Sequence, residues 1–235
     1  MYKYSVLSFD FNNYEILHEV QNPVKDIEYV YVTNNKNLKS NTWKIVQFDK
    51  FDNPIESLMY VKYHPFEFVS CDVCCVMDGS TQILGDFSFL YDKFEENYYD
   101  IITKQHPDRK RMFDELDAWV KYRKYSRENA EKYKQLISAN LSVDNVFEIN
   151  VYFVRNDENG NLFLTKLYWY LTHAKWNEPV CRMDQVMFTW MVLDNLKLKY
   201  WLFDKSLENC DKYWWKCNHN SNIPYKLSNY IKAIL

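Results

Sequence analysis

The chain has 235 residues, room for one large domain, or a domain with an appendage, around a single sizeable core. With 47% hydrophobic and 26% charged residues it has the balance of a soluble globular protein, which excludes disordered and fibrous classes. Lys and Arg number 29 against 32 Asp and Glu, a net charge of −3, so a dedicated nucleic-acid binder with its basic excess is not expected.

Glycine occurs only 3 times, at Gly79, Gly85 and Gly160, against roughly 16 at the usual ~7%. Neither GxGxxG nor GxxxxGK[ST] can be written, which excludes dinucleotide-binding and P-loop enzymes in their usual forms. No GxSxG or HExxH occurs either. The N-terminus carries no long apolar segment, and no stretch approaches the ~18 apolar residues of a membrane span. The expectation is a soluble, cytoplasmic protein, with peripheral contact to a membrane left open. Of the 6 cysteines, Cys71, Cys74 and Cys75 fall in or beside an apolar run, which reads as free, buried thiols in a reducing compartment.

In chain order, Tyr4 to Phe9, Ile27 to Thr33 and Trp43 to Phe48 read as strands, punctuated by Asn12-Asn13, Asn22-Pro23 and Asn34-Asn35. Pro54 to His64 opens with a proline suited to a first helical turn and spaces Ile55, Leu58, Met59 and Lys62 at helical intervals. Val73 to Met77 is continuously apolar, the pattern of a strand buried on both faces, and stops at Asp78-Gly79-Ser80. Then come a helix over Asp86 to Asn97, a strand over Tyr99 to Thr103, and one long helix from Pro107 to Leu141. A strand over Phe147 to Arg155, helices over Leu162 to Trp176 and Met183 to Leu196, and a strand over Tyr200 to Phe203 follow. This alternation predicts an α/β domain with a central sheet, whose ligands bind outside the carboxyl ends of the strands.

Asp78 stands at such an end, where a carboxylate can hold a divalent cation or a ribose hydroxyl and Gly79 admits a ligand to the backbone; an Asp-Gly turn reads the same way. Arg109, Lys110 and Arg111 would fall in the first turn of the long helix, where cations oppose its dipole. A diphosphate could compensate, with Arg109 or His106 as donor, as could Asp108, Asp114 and Glu115. Arg182-Met183-Asp184-Gln185 can bind phosphate, fix sugar hydroxyls and face a reacting carbon, or simply open a helix. His219 reads as a metal ligand or as a surface histidine.

Taken together, the sequence resembles the TOD/MUCI-type glycosyltransferase-like domain over about Tyr29 to Phe203. The resemblance rests on Tyr31-Val32-Thr33 followed by Trp43, on Lys62-Tyr63-His64-Pro65, on Val76-Met77-Asp78-Gly79-Ser80, and on His106, Arg109, Glu115, Gln135 and Arg155. Trp176-Asn177-Glu178 and Arg182-Met183-Asp184-Gln185 complete it. It implies a single GT-A-like (Rossmann-like) domain over residues 1–235, with a mostly parallel sheet flanked by helices and residues 204–235 packed on it. It also implies a nucleotide-diphosphate-sugar donor held by Thr33, Lys62, Asp78, Ser80, His106, Arg109 and Arg182, and a glycan or glycolipid acceptor, as in surface polysaccharide synthesis. Asp184-Gln185 is similar to the Asp-Gln pair of glycogenin-like retaining galactosyltransferases, which places both at the reacting carbon and favours retention over inversion. By the same likeness Asp78 and His219 would hold Mn2+ or Mg2+. The Asp-x-Asp of GT-A enzymes reads Asp78-Gly79-Ser80, so one metal carboxylate is replaced by a hydroxyl.

Two other functions fit parts of the sequence. A non-catalytic carbohydrate-binding protein would use the 18% aromatic residues as stacking platforms. A nucleic-acid binder would use Lys121 to Arg127, against the net charge.

Overall fold

The computed structural model describes residues 2–106, 109–121, 126–137, 146–173, 184–203 and 214–216. Its centre is a seven-stranded sheet in the order β3-β2-β1-β4-β7-β6-β8. β1 (Tyr4–Asp10), β2 (Ile27–Thr33), β3 (Lys44–Gln47) and β4 (Val73–Asp78) run parallel to one another. β7 (Phe147–Arg155) is antiparallel to both β4 and β6 (Ile101–Gln105), while β8 (Tyr200–Phe203) is parallel to β6. Four of the six pairings are therefore parallel, and the fold is the expected GT-A-like α/β arrangement with a mostly parallel sheet. β4 is apolar throughout because both faces are covered: its first five residues are buried and only Asp78 emerges.

The two faces are covered unequally. One packs against α1 (Pro54–Tyr63), α3 (Met112–Lys121), α4 (Arg127–Ile137), α5 (Glu158–His173) and α6 (Asp184–Trp190), with Met59, Tyr63, Leu116, Tyr133, Leu167 and Phe188 in its core. The other is closed by α2 (Phe89–Asn97) and by the chain between β1 and β3, through Val20, Trp43, Leu90 and Phe94. Cys71, Cys74 and Cys75 are free and buried, as the apolar run suggested.

Several elements differ from expectation for local reasons. The long helix is two. The first begins at Met112, because Arg111 O receives the amides of Asp114 and Glu115, so Arg109 lies ahead of the helix and outside its first turn. The second is started by Ser126, whose Oγ accepts Asn129 N–H at 3.1 Å. α5 opens four residues early because the Asp157 carboxylate accepts Gly160 N–H at 2.9 Å. A Cβ on Gly160 would lie 2.0 Å from Arg155 O, so no other residue fits there. α6 ends in a π turn over Met191–Asn195. β5 (Thr81–Ile83) and β9 (Trp214–Lys216) form a second, antiparallel pair that no periodicity announced. Apart from β9, residues 204–235, expected to pack on the domain, lie outside the described residues.

Candidate functional site

The carboxyl ends of β2, β1 and β4 form one edge. Thr33 is opposite Asp10, and Phe9 is opposite Asp78. Gly79 is needed here because a Cβ would stand 2.4 Å from the Phe9 carbonyl oxygen. The glycine thus admits the backbone of the neighbouring strand.

Lys62 converts this edge into a charged cluster. It lies near the end of α1, is 4% exposed, and places Nζ 3.2 Å from Asp78 Oδ1 and 3.0 Å from Asp184 Oδ2. Asp184, the first residue of α6, is 122 positions away in sequence and also accepts the Tyr63 hydroxyl at 3.1 Å. The Tyr152 hydroxyl donates to the Lys62 carbonyl and ties the helix to β7. Burial alone would lower the lysine's pKa, but Asp184 and then Asp78 outweigh it and hold it above its usual value, so the ammonium stays charged. Tyr63 is pushed up, first by burial and then by the Asp184 charge, and remains a hydroxyl donor.

Two polar side chains near the end of β4, one by sequence and one by strand register, are unsatisfied among the described residues. The β4–β7 ladder ends at Met77 opposite Val151, so Asp78 and Asn150 occupy the next positions on the two strands. Asn150 is 3% exposed, and neither its Oδ1 nor its Nδ2 has a partner among the described residues. Thr81 Oγ1, three residues past Asp78, is likewise buried and without a partner among the described residues. Buried polar groups are almost always satisfied, so these exceptions need a reason.

The other sequence candidates divide in two. Thr33 and Ser80 are buried, with Thr33 Oγ1 accepting Asn35 N–H at 3.1 Å, and both belong to this edge. Gln185 follows Asp184 on α6, and its carbonyl accepts the Thr189 hydroxyl at 2.7 Å. His106 and Arg109 form a separate cluster beyond β6: an Arg109 guanidinium nitrogen pairs with Glu115 and lies 3.0 Å from His106 Nε2, and Trp119 Nε1–H donates to Glu115 at 2.6 Å. Glu115, 1% exposed, thus supplies the anion that the basic run required. Arg182 and His219 lie outside the described residues.

Sequence reasoning missed Asp10, which ends β1 as Asp78 ends β4 and could have been found by the same rule. Its Oδ1 accepts Glu15 N–H at 3.0 Å, and burial, together with the Glu15 charge, pushes its pKa up to about 7. Asn150 and Tyr152 carry no local signal, since only the fold brings Tyr152 to Lys62 and Asn150 beside the end of β4.

The cluster's chemistry suits a hard cation in part. Two carboxylates against one ammonium leave one negative charge, and the donors are oxygens. Among the described residues no three His, Cys, Asp or Glu side chains gather to hold a metal, so Asp78 would be one ligand among several from elsewhere.

No protein-family model and no curated protein sequence matches the chain. Among solved structures it is similar to mouse xyloside xylosyltransferase 1 in its apo form, with a TM-score of 0.50, 9% identity, and 86% of this chain and 85% of that one covered. It also matches the glycosyltransferase GlyE of Streptococcus pneumoniae TIGR4, with a TM-score of 0.46, 13% identity, and 89% of this chain and 47% of that one covered. At such identity the likeness to the xylosyltransferase is one of fold: the sheet and its flanking helices are arranged as in a glycosyltransferase. No helix among the described residues is long and apolar enough to cross a membrane.

Proposed function

We propose that the protein is a glycosyltransferase of the TOD/MUCI type, moving a sugar from a nucleotide-diphosphate donor to a glycan or glycolipid acceptor. The observation that carries this reading is the convergence of Asp78 and Asp184, from distant parts of the chain, on the single buried ammonium of Lys62 at the carboxyl edge of a GT-A-like sheet. Ligands of open α/β sheets bind at that edge.

The roles follow from chemistry and position. Asp184 and Gln185 face the reacting carbon, where a carboxylate and an amide oxygen shield an oxocarbenium-like transition state. The retaining outcome implied by the Asp-Gln pair would show in the anomeric proton coupling of the first-formed product. Asn150 offers a buried amide whose donor and acceptor have no partner among the described residues, the complement of a sugar hydroxyl. Thr33 and Ser80 line the nucleotide side, and Arg182 grips the diphosphate. Arg109, paired with Glu115, is a weaker candidate for that task than the sequence implied.

In this reading Asp78 and His219 would be the protein ligands of a divalent cation. β9 pairs with the strand leaving the Asp78 motif and ends at Lys216. When bound, such a cation would neutralise charge on the leaving diphosphate.

The test is a thermal-shift and calorimetric panel of UDP- and GDP-sugars with and without Mn2+, followed by an assay for donor hydrolysis. Binding of one nucleotide sugar with slow hydrolysis supports a transferase. Binding of glycans alone, with no nucleotide binding, would replace this reading by the carbohydrate-binding one.

A further inference from the structure

We infer that the outward face of α5, built around Trp169, is a binding platform for an acidic oligosaccharide. The inference rests on the glycosyl-transfer reading and deepens it, giving the acceptor a chemical class and a place to be held apart from the Lys62 cluster.

Trp169 is 52% exposed, yet its indole is held in one orientation. His173, one turn on, lies parallel to it within 4° at 5.7 Å between ring centroids, and Tyr170 meets it edge-on at 5.2 Å. Tyr170 is itself met edge-on by Trp190, the last residue of α6, at 5.5 Å. The Thr172 hydroxyl donates to the Tyr168 carbonyl at 2.8 Å, so its second contact, with His173 Nδ1 at 2.8 Å, is one in which it accepts. His173 therefore carries its hydrogen on Nδ1, and the neutral ring leaves Nε2 as an acceptor. A ring ordered in advance loses little freedom when a ligand settles on it.

Such a surface suits a pyranose, whose C–H face packs on an indole while its hydroxyls meet polar groups at the edge. Charge selects an acidic one. After Glu158, α5 contains no Asp or Glu, in a chain that has 32 of them. Lys166 precedes Trp169 by three residues on the same helical stripe and supplies an ammonium beside the ring. A uronate stacked on Trp169 would bring its carboxylate to that ammonium. A membrane surface would call for a broader apolar face bordered by several cations, whereas this stripe interleaves Leu162, Lys166, Trp169 and His173.

The platform also lies toward the reacting end of the molecule. β7 starts at the carboxyl edge, because it is antiparallel to β4 with Val151 opposite Met77 and Arg155 opposite Val73. α5 then runs back: its 16 residues rise about 24 Å, against about 30 Å for the nine residues of β7. Its last turn thus returns toward the edge where Asp184 opens α6. Trp190 stands about 9 Å along α6 from Asp184, and the ring contacts through Tyr170 continue from there to Trp169.

The test uses the full chain and calorimetry at low salt, with oligogalacturonate and hyaluronan oligosaccharides as acidic probes and maltohexaose as the neutral one. Wild type should bind an acidic probe more tightly than maltohexaose, and Trp169→Ala should weaken that binding by about tenfold or more. Lys166→Gln should remove most of the preference for the acidic probe and most of its salt dependence. His173→Ala should weaken acidic and neutral probes alike. The substituted side chains lie on the outer stripe of α5, so melting followed by circular dichroism should stay close to wild type. Unchanged affinity in folded Trp169→Ala, equal binding of acidic and neutral probes, or no binding of any probe by wild type at millimolar concentration overturns the inference. Trp169-dependent sedimentation with phosphatidylcholine–phosphatidylglycerol vesicles, without probe binding, overturns it in favour of a membrane contact. The donor reading is decided separately, by UDP- and GDP-sugar binding to wild type: its failure with probe binding intact removes the transferase and leaves the platform, and the converse removes the platform alone.

Discussion

Single carboxylates carry most of what this site can do, and their surroundings set what each does. Asp78 is half-exposed at a strand end, so Asp78→Ala should leave the fold intact by circular dichroism while lowering donor hydrolysis or transfer by on the order of a hundredfold. Wild-type turnover in the folded variant would remove Asp78 from the mechanism. Asp10, 6% exposed on the neighbouring strand, behaves differently. Its pKa is raised from 3.8 to about 7, chiefly by burial, so the folded state binds its proton more tightly than the unfolded chain does. The stability this adds is fully present below the unfolded value and is lost as pH rises through about 7. Asp10→Asn, a neutral isostere that still accepts Glu15 N–H, should flatten that pH dependence and melt a few degrees above wild type at pH 8. An unchanged pH profile would mean that Asp10 titrates normally. Of these residues the sequence exposes Asp78 and Asp184, because each sits at a break between an apolar element and a polar one. Asp10 obeys the same rule but is followed by Phe11, which hides the strand's end.

At the scale of elements, loops that look irregular are held by specific side chains. The chain between β1 and β2 is buckled to the chain before β3 by Glu19, whose carboxylate accepts from Ser40 Oγ at 2.7 Å, Asn41 N at 3.0 Å, Thr42 N at 3.1 Å and Thr42 Oγ1 at 2.5 Å. Trp43 Nε1 donates to His18 O at 2.8 Å and closes the same buckle over the thinner face of the sheet. Burial alone would raise the Glu19 pKa, but these donors outweigh it and lower it. The stability it contributes is therefore present above the ordinary glutamate pKa and disappears as pH falls below it. Glu19→Ala should cost about 1 kcal/mol near pH 7 and less in acid, where the neutral carboxyl accepts more weakly, measured by urea denaturation. An equal loss at both pH values would assign the effect to packing. Strong periodicity made β1, β2, β4, β7 and α1 legible, since burial of whole faces writes itself into the sequence. The break between α3 and α4 and the three-residue strand β5 were not legible. A serine cap at Ser126 and one short backbone ladder decide those, and neither leaves a repeating pattern.

Across the whole molecule, a second short ladder ties the C-terminal part of the chain to the strand that follows Asp78. β9 is antiparallel to β5, with Trp215 opposite Gln82, and β5 leaves the Asp78-Gly79-Ser80 turn directly. The ladder closes a loop of more than a hundred residues. Its closure entropy is offset by few hydrogen bonds, so it should be among the first parts of the protein to open. A proline at Trp215 removes a backbone donor and restricts the chain without touching the central seven-stranded sheet. Trp215→Pro should therefore leave the main unfolding transition nearly unchanged while weakening UDP or GDP binding in the presence of Mn2+ by tenfold or more. If His219 completes the cation site, the loss should shrink markedly when the same titration is run in EDTA. If nucleotide affinity in Mn2+ is unaffected by Trp215→Pro, the second ladder is a structural tether, and Asp78, Asn150 and Asp184 bind the donor without help from the C-terminal strand.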